Sequence, residues 1–335
     1  MRQPSCRLVL TLALLGAWAP FTAPAETAPP APALQAQPQA AAPVPFGWRV
    51  RPPGAAPAAT HLLIGSVHVL PQSVYPLPGG LERAYEQTEG LVLETDPSTL
   101  QEAEFQQRML QAARAPQGLR GSVDPALYTR LAQRAEALKL PMSLCDSFKA
   151  WFCALSLELY ALQKQGVSGD FGLDRYFYDR AVRDGRPVRW LESPETQLEL
   201  FTDMGDTLGA QFLASTVEDL SEPEHDPLQL IGQWKRDDRS GMEALVMQMK
   251  RDYPESYDHL LASRNRAWIA PLETLMLEPR RLLIVVGAAH LLGPEGLPAL
   301  LRARGWTLEA LQSPADAVPP RDPHQASWAG FAPAR

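Results

Sequence analysis

Three cysteines in 335 residues are too few for a disulfide-built scaffold or a four-cysteine zinc module. Long apolar runs are also scarce. The stretch from Leu8 to Trp18 covers about half of the roughly twenty residues a spanning helix needs. No basic run occurs, and the formal net charge is −7. That balance argues against a nucleic-acid footprint and against binding to an anionic membrane surface. Familiar catalytic signatures are missing as well: no Gly-x-Ser-x-Gly elbow, no His-Glu-x-x-His, no phosphate loop and no Gly-x-Gly-x-x-Gly. A serine-elbow hydrolase, a zincin, an NTPase and a dinucleotide enzyme each lose their sequence support.

What is present is a core-forming composition, 45% hydrophobic and 21% charged, with 33 prolines clustered toward the two ends. Residues 1–25 read as a secretory signal peptide. Arg2 and Arg7 precede the apolar stretch, and Ala23-Pro24-Ala25 supplies small residues for cleavage near Ala25. Pro20 and Pro24 would interrupt an uncleaved anchor helix. The expected location is therefore the periplasm or the exterior, with no membrane span in the mature chain. Residues 26–45 are dominated by Ala and Pro and read as a semi-rigid tether. A folded domain over 46–312 follows, and 313–335 is a Pro-rich tail. Cys145 and Cys153 remain in the mature chain. On one continuous helix they would lie about 12 Å apart, beyond disulfide reach. A bridge requires a turn near Asp146 to Phe148, so a disulfide and two buried thiols both stay open.

One supersecondary unit occurs twice. Thr60 to Ile64 reads as a strand leading into Gly65-Ser66-Val67-His68, after a first strand at Phe46 to Val50. A helix over Gly80 to Glu89 follows, then Gly90 and the strand Leu91 to Thr95. Near the C-terminus, Arg281 to Val286 is a buried strand closed by Gly287-Ala288-Ala289-His290. Pro294 opens a helix, Gly305 ends it, and Trp306 to Leu311 is a strand. Strand–helix–strand units imply parallel pairing, with ligand sites beyond the carboxyl ends of the strands. Residues 99–276 read as a large helical insertion. Within it Ser193-Pro194-Glu195 starts a helix carrying Phe201, Met204, Leu208 and Phe212 on one apolar face. Tyr257 to Leu277 is a further helix. The expected fold is α/β: one mixed or parallel sheet built from the two ends of the domain, with that central helical insertion.

The chemistry-bearing residues sit at the strand ends, where the two glycines are expected to let the chain turn tightly. His68, His290 and Glu94 form a candidate three-ligand set for a divalent ion such as Zn, Mn or Co, which would activate water. Without metal, Glu94 could serve as base while the histidines polarise a carbonyl; each histidine could also simply cap its strand. Arg264 could hold a substrate carboxylate and Asn265 could orient a peptide carbonyl; a helix-surface salt bridge is the plainer alternative. Asp96 is a candidate neighbour of Glu94 or a turn residue, and Glu309 is an ordinary strand-surface acid.

The ordered set Leu63 to His68, Pro76 to Pro78, Leu93 to Asp96, Gly172-Leu173-Asp174, Gly185 to Val188, Leu191-Glu192, Arg264-Asn265 with Trp268, and Val286 to Leu291 resembles the TraB/PrgY/GumN family. The resemblance implies kinship with Tiki metalloproteases, erythromycin esterase-like hydrolases and haem-binding ChaN-like proteins. In that group the paired Gly-x-x-His motifs and the acid after the second strand are the proposed metal or catalytic centre. They correspond to His68, His290 and Glu94, with Arg264 and Asn265 as site neighbours. The expected activity is metal-dependent hydrolysis of a peptide or small-molecule substrate. The alternatives are a periplasmic binding protein for a peptide, haem or metal, and an envelope interaction protein presented on its tether.

Overall fold

The structure is a computed structural model that describes residues 44–54, 60–220 and 227–311. The signal-peptide and tail segments, and most of the tether, lie outside these residues. Strands β1 (Gly47–Arg51), β2 (His61–Ser66), β3 (Leu70–Pro71), β4 (Gly90–Leu93), β5 (Val167–Ser168), β6 (Val188–Trp190), β7 (Leu282–Gly287) and β8 (Thr307–Ala310) form two sheets. The main sheet has the order β6-β4-β7-β2-β1-β8, and β3 pairs with β5 in a small antiparallel ribbon. Every residue of β2, β4 and β7 is buried. Their sequences are accordingly near-continuous apolar runs, as strands covered on both faces must be.

β7 is the hinge of the topology. It pairs in parallel with β2 on one side and β4 on the other, and β4 pairs in parallel with β6. β1 runs antiparallel between β2 and β8. The strands of each strand–helix–strand unit therefore share a direction without pairing directly. β7 separates β2 from β4, and β2 and β1 separate β7 from β8. The register sets Leu93 opposite Val285 and Ser66 opposite Gly287. Three strand ends consequently finish level with one another.

Helices α1 (Gly79–Glu86), α2 (Ala103–Ala113), α3 (Gly118–Ser122), α4 (Pro125–Leu138), α5 (Ala150–Lys164) and α6 (Leu173–Arg183) precede β6. Helices α7 (Pro194–Thr202), α8 (Gly205–Asp219), α9 (Pro227–Lys235), α10 (Arg239–Asp252), α11 (Pro254–Tyr257) and α12 (Ser263–Met276) follow it, and α13 (Leu297–Ala303) connects β7 to β8. Ser193 caps α7 through the Thr196 N–H, with Pro194 in its first turn. The apolar face at Phe201, Met204, Leu208 and Phe212 is divided between α7 and α8, because Gly205 takes φ +63 between them. α13 starts after Gly296, with Pro298 rather than Pro294 in its first turn. The expected helix from Tyr257 is interrupted by a π-helical turn, Asp258–Ala262, before α12. The insertion also contributes two strands, β5 and β6.

Cys145 and Cys153 are joined in a disulfide, with Cα atoms 4.6 Å apart. A 3₁₀ turn at Met142–Leu144 and the bridge from Phe148 to Arg114 fold the chain back before α5 begins. No helix among the described residues is long and apolar enough to cross a membrane.

Candidate active site

The level ends of β2, β4 and β7 carry His68, Glu94 and His290 into one buried cluster. Their exposures are 5%, 4% and 0%. Neither strand-closing glycine adopts a positive φ. Gly65 still lies within β2, and a Cβ there would stand 2.8 Å from Phe46 Cβ and 3.0 Å from the Ala288 backbone. Close strand approach, not a tight turn, is what that position requires.

Each imidazole is anchored through Nδ1. His68 Nδ1 lies 2.6 Å from Asp174 Oδ2, and His290 Nδ1 lies 2.6 Å from Asn265 Oδ1. Both partners are acceptors, so each ring carries its hydrogen on Nδ1, and Nε2 of His290 is left as an acceptor. The two Nε2 atoms stand 3.7 and 3.9 Å from the same oxygen, Glu94 Oε1. That oxygen accepts the Gly287 N–H at 2.6 Å, and Oε2 accepts from Arg264 at 2.7 Å.

Arg264 is the hub. Its Nε and one terminal nitrogen donate to Glu192 at 3.2 and 2.6 Å. Its other terminal nitrogen faces the Leu260 carbonyl at 3.2 Å and His290 Nε2 at 3.1 Å. All five N–H groups are thus taken by the protein itself. Trp268 donates its indole N–H to Glu192 at 2.9 Å and packs its ring 4.5 Å from that of His290. Asn265 completes the roof by donating to the Glu295 carbonyl at 2.8 Å. The π-helical turn ahead of α12 coincides with inward burial of the consecutive pair Arg264 and Asn265; such turns recur at functional sites.

Electrostatics divides the two histidines. Burial opposes a proton on His68, but the charge and hydrogen bond of Asp174, with Glu94, outweigh it and raise the pKa. His290 is driven well below its usual pKa by burial, then by the positive charges of Arg264 and His68. Burial lifts Glu94 above the usual carboxylate range despite Arg264 and His68, with Glu192 adding to the rise. One guanidinium is shared between two carboxylates. Burial works against the charge of Arg264 too, yet Glu192 and Glu94 prevail and raise its pKa.

Asp174 and Glu192 are therefore members of the cluster that strand-end spacing alone did not select. Close packing of the Gly172-Leu173-Asp174 segment on the end of β2 is what places Asp174. Gly172 precedes α6 so closely to the His68 backbone that a Cβ would sit 2.2 Å from the His68 carbonyl oxygen. The Leu173 N–H bonds the Val67 carbonyl, and Ser66 Oγ donates to Asp174 Oδ1 at 3.0 Å. Other candidates lie elsewhere. Asp96 closes a turn by accepting from Ser98, since β4 ends at Leu93. Glu309 pairs with Arg49 and Arg51 across β1 and β8.

The donor chemistry suits a divalent ion. The buried cluster holds three carboxylates, Asp174, Glu94 and Glu192, against one guanidinium, so it is short of positive charge even when His68 is protonated. Atoms sharing a tetrahedral ion at about 2.1 Å stand roughly 3.4 Å apart, close to the two imidazole–Glu94 separations. The competitor is Arg264, which holds His290 Nε2 and Glu94 Oε2. Among the described residues no three such side chains are already gathered around one ion position.

The sequence model of the TraB/PrgY/gumN family matches residues 47–310. Two relatives bear the name uncharacterized protein YbaP, one from Escherichia coli (strain K12) and one from Shigella flexneri. Each is 27% identical over 241 residues, covering 72% of this chain and 87% of the relative. No solved structure matches the chain.

Proposed function

The chain belongs to the TraB/PrgY/gumN family, and from that premise we propose that it is an exported, metal-dependent hydrolase acting on a peptide or small amide. Kinship with the Tiki metalloproteases is part of this proposal. The observation that carries it is the convergence of two Nδ1-anchored imidazoles on one oxygen of a buried glutamate, in a cluster short of positive charge. Carboxylate or amide anchoring of the distal ring nitrogen is how metal-ligating histidines are commonly held.

His68, His290 and Glu94 would hold the ion, with Arg264 releasing His290 Nε2. When bound, such an ion supplies a Lewis acid and lowers the pKa of water toward neutrality. Asp174 and Asn265 fix the two ring orientations. The Gly287 N–H and Arg264 fix Glu94, which would help hold the ion and double as the base that takes a proton from water and passes it to the leaving amine. Arg264, once turned from His290, is the group for a substrate carboxylate, and Asn265 borders the peptide carbonyl. Export is supported by the Cys145–Cys153 disulfide, since such bonds persist in oxidising compartments.

A second reading, capture of a peptide, haem or metal without turnover, draws on the closure of the cluster and on the full engagement of Arg264. The deciding measurement is metal content and affinity of the purified protein beside His68→Ala and His290→Ala. About one ion per chain, lost in both variants together with hydrolysis of a peptide library, is the expected result. Absence of Zn, Mn or Co binding would overturn the metal-dependent assignment; an ion retained without turnover would select capture.

A further inference from the structure

Between α8 and the corner where α10 meets α11 lies a cleft of about 450 Å³, within the range of small-ligand sites. Ser215 and Glu218 form one wall; Asp252, Tyr253, Glu255 and Ser256 form the other. Its charge is of one sign. No lysine, arginine or histidine lines it, and Glu218, Asp252 and Glu255 make no ion pair among the described residues. An acidic surface alone is only a solvated face, but two further features separate this cleft from one.

The first is Ser256. It is 9% exposed and lines the cleft, yet its hydroxyl has no hydrogen-bond partner among the described residues. The Ser215 hydroxyl, by contrast, is used on the Phe212 carbonyl. A polar group held in a concave wall without a protein partner is placed for one from outside. The second is the inner end. A small adjoining cavity shares Ser215, Tyr253 and Ser256 in its walls and reaches Leu260, the residue whose carbonyl accepts from Arg264.

We propose that this cleft binds a basic peptide segment, one carrying lysine or arginine side chains. The three carboxylates pair with its cations and Ser256 Oγ with its backbone. Resting on the hydrolase proposal, the segment belongs to the substrate of that reading and is held at a site separate from the His68–Glu94–His290 centre. The acidic balance of the chain favours the approach of such a ligand.

The test is fluorescence anisotropy with the whole protein and two labelled hexapeptides, alternating Ala-Lys and alternating Ala-Glu. The basic peptide should bind at least about tenfold tighter, and salt should weaken it. The variant Glu218→Gln/Asp252→Asn/Glu255→Gln should lose about tenfold in affinity for it. Ala214→Trp, which fills the cleft without changing charge, should lose as much. Equal binding of the two peptides, or unchanged binding in both variants, overturns the assignment. Glu94→Gln keeps the two proposals separable: it should abolish peptide turnover and leave binding of the basic peptide as in the wild type. Binding that persists when no hydrolysis is found would support the cleft and count only against the hydrolase.

Discussion

Replacing Arg264 by methionine tests how the buried centre is held together. The arginine side chain is 3% exposed and spends every N–H on Glu192, Glu94, His290 and the Leu260 carbonyl. Methionine fills comparable space but leaves two buried carboxylates without a cation. Removing one partner of a buried ion pair costs about 3–5 kcal/mol. Here two acids lose the same partner, but Glu192 keeps the Trp268 indole and Glu94 keeps the Gly287 amide. We therefore expect a loss of about 4 kcal/mol in urea unfolding at neutral pH. The pH dependence has a definite sign. Without the guanidinium, Glu94, already lifted by burial, keeps a folded-state pKa above its unfolded one, so the variant loses stability as pH rises past the ordinary carboxylate range. Its deficit should be smaller near pH 5 than near pH 8. Adding Glu94→Gln and Glu192→Gln should restore more than half of the loss. A deficit below about 1 kcal/mol, typical of an exposed pair, or a triple variant no more stable than the single one, would refute the argument.

Three other outcomes follow from groups away from that guanidinium. His61 is buried at the opposite end of β2, where its Nδ1 accepts the Leu282 N–H; burial lowers its pKa to about 4. The unfolded chain thus takes a proton first, and wild type should lose up to about 3 kcal/mol between pH 6.5 and 4, a component absent from His61→Gln in denaturant titrations. Gly172→Ala puts a Cβ on the His68 carbonyl; displacement of α6 should cost about 1–3 kcal/mol in thermal unfolding, and an unchanged melting temperature would contradict the packing. Cys145→Ser/Cys153→Ser opens a bridge spanning a sequence separation of 8, for an expected loss of about 2.5 kcal/mol by the chain-entropy relation. Reductant should destabilise the wild type to match, with no effect on the double variant.

What could be read from the chain followed from local chemistry. β2 and β7 are apolar runs ending in Gly-x-x-His, and Ser193-Pro194 marks a capped helix start, so the sheet core and the α7 terminus were legible. The strand ends placed two histidines and Glu94 in view because a strand's direction fixes where its last residue goes. β6 was not legible. It is three residues long on a sheet edge, with no alternation to reveal it. The division of α7 from α8 hung on the backbone conformation of Gly205, which a sequence pattern does not disclose. Asp174 and Glu192 reach the cluster through bonds to residues 106 and 72 positions away. No local period encodes such a pairing. The cysteine bridge likewise depended on the Arg114–Phe148 contact, made by a segment distant from either sulfur.

The place of β7 in the sheet has a consequence for biogenesis. The strand that fills the gap between β2 and β4 arrives about 190 residues after β4, and its Gly287 amide closes on Glu94 across a separation of 193. During synthesis, both earlier strands wait with an open edge, which is a slow and aggregation-exposed way to fold. The delay also fixes when the cluster can form. No nascent fragment ending before residue 282 has the strand that carries His290, so His68, Glu94 and His290 come together only once the last part of the domain has been made. A fragment truncated at residue 280 should accordingly be recovered only as aggregate or chaperone-bound material. A soluble, cooperatively melting fragment would show that the sheet closes by another order.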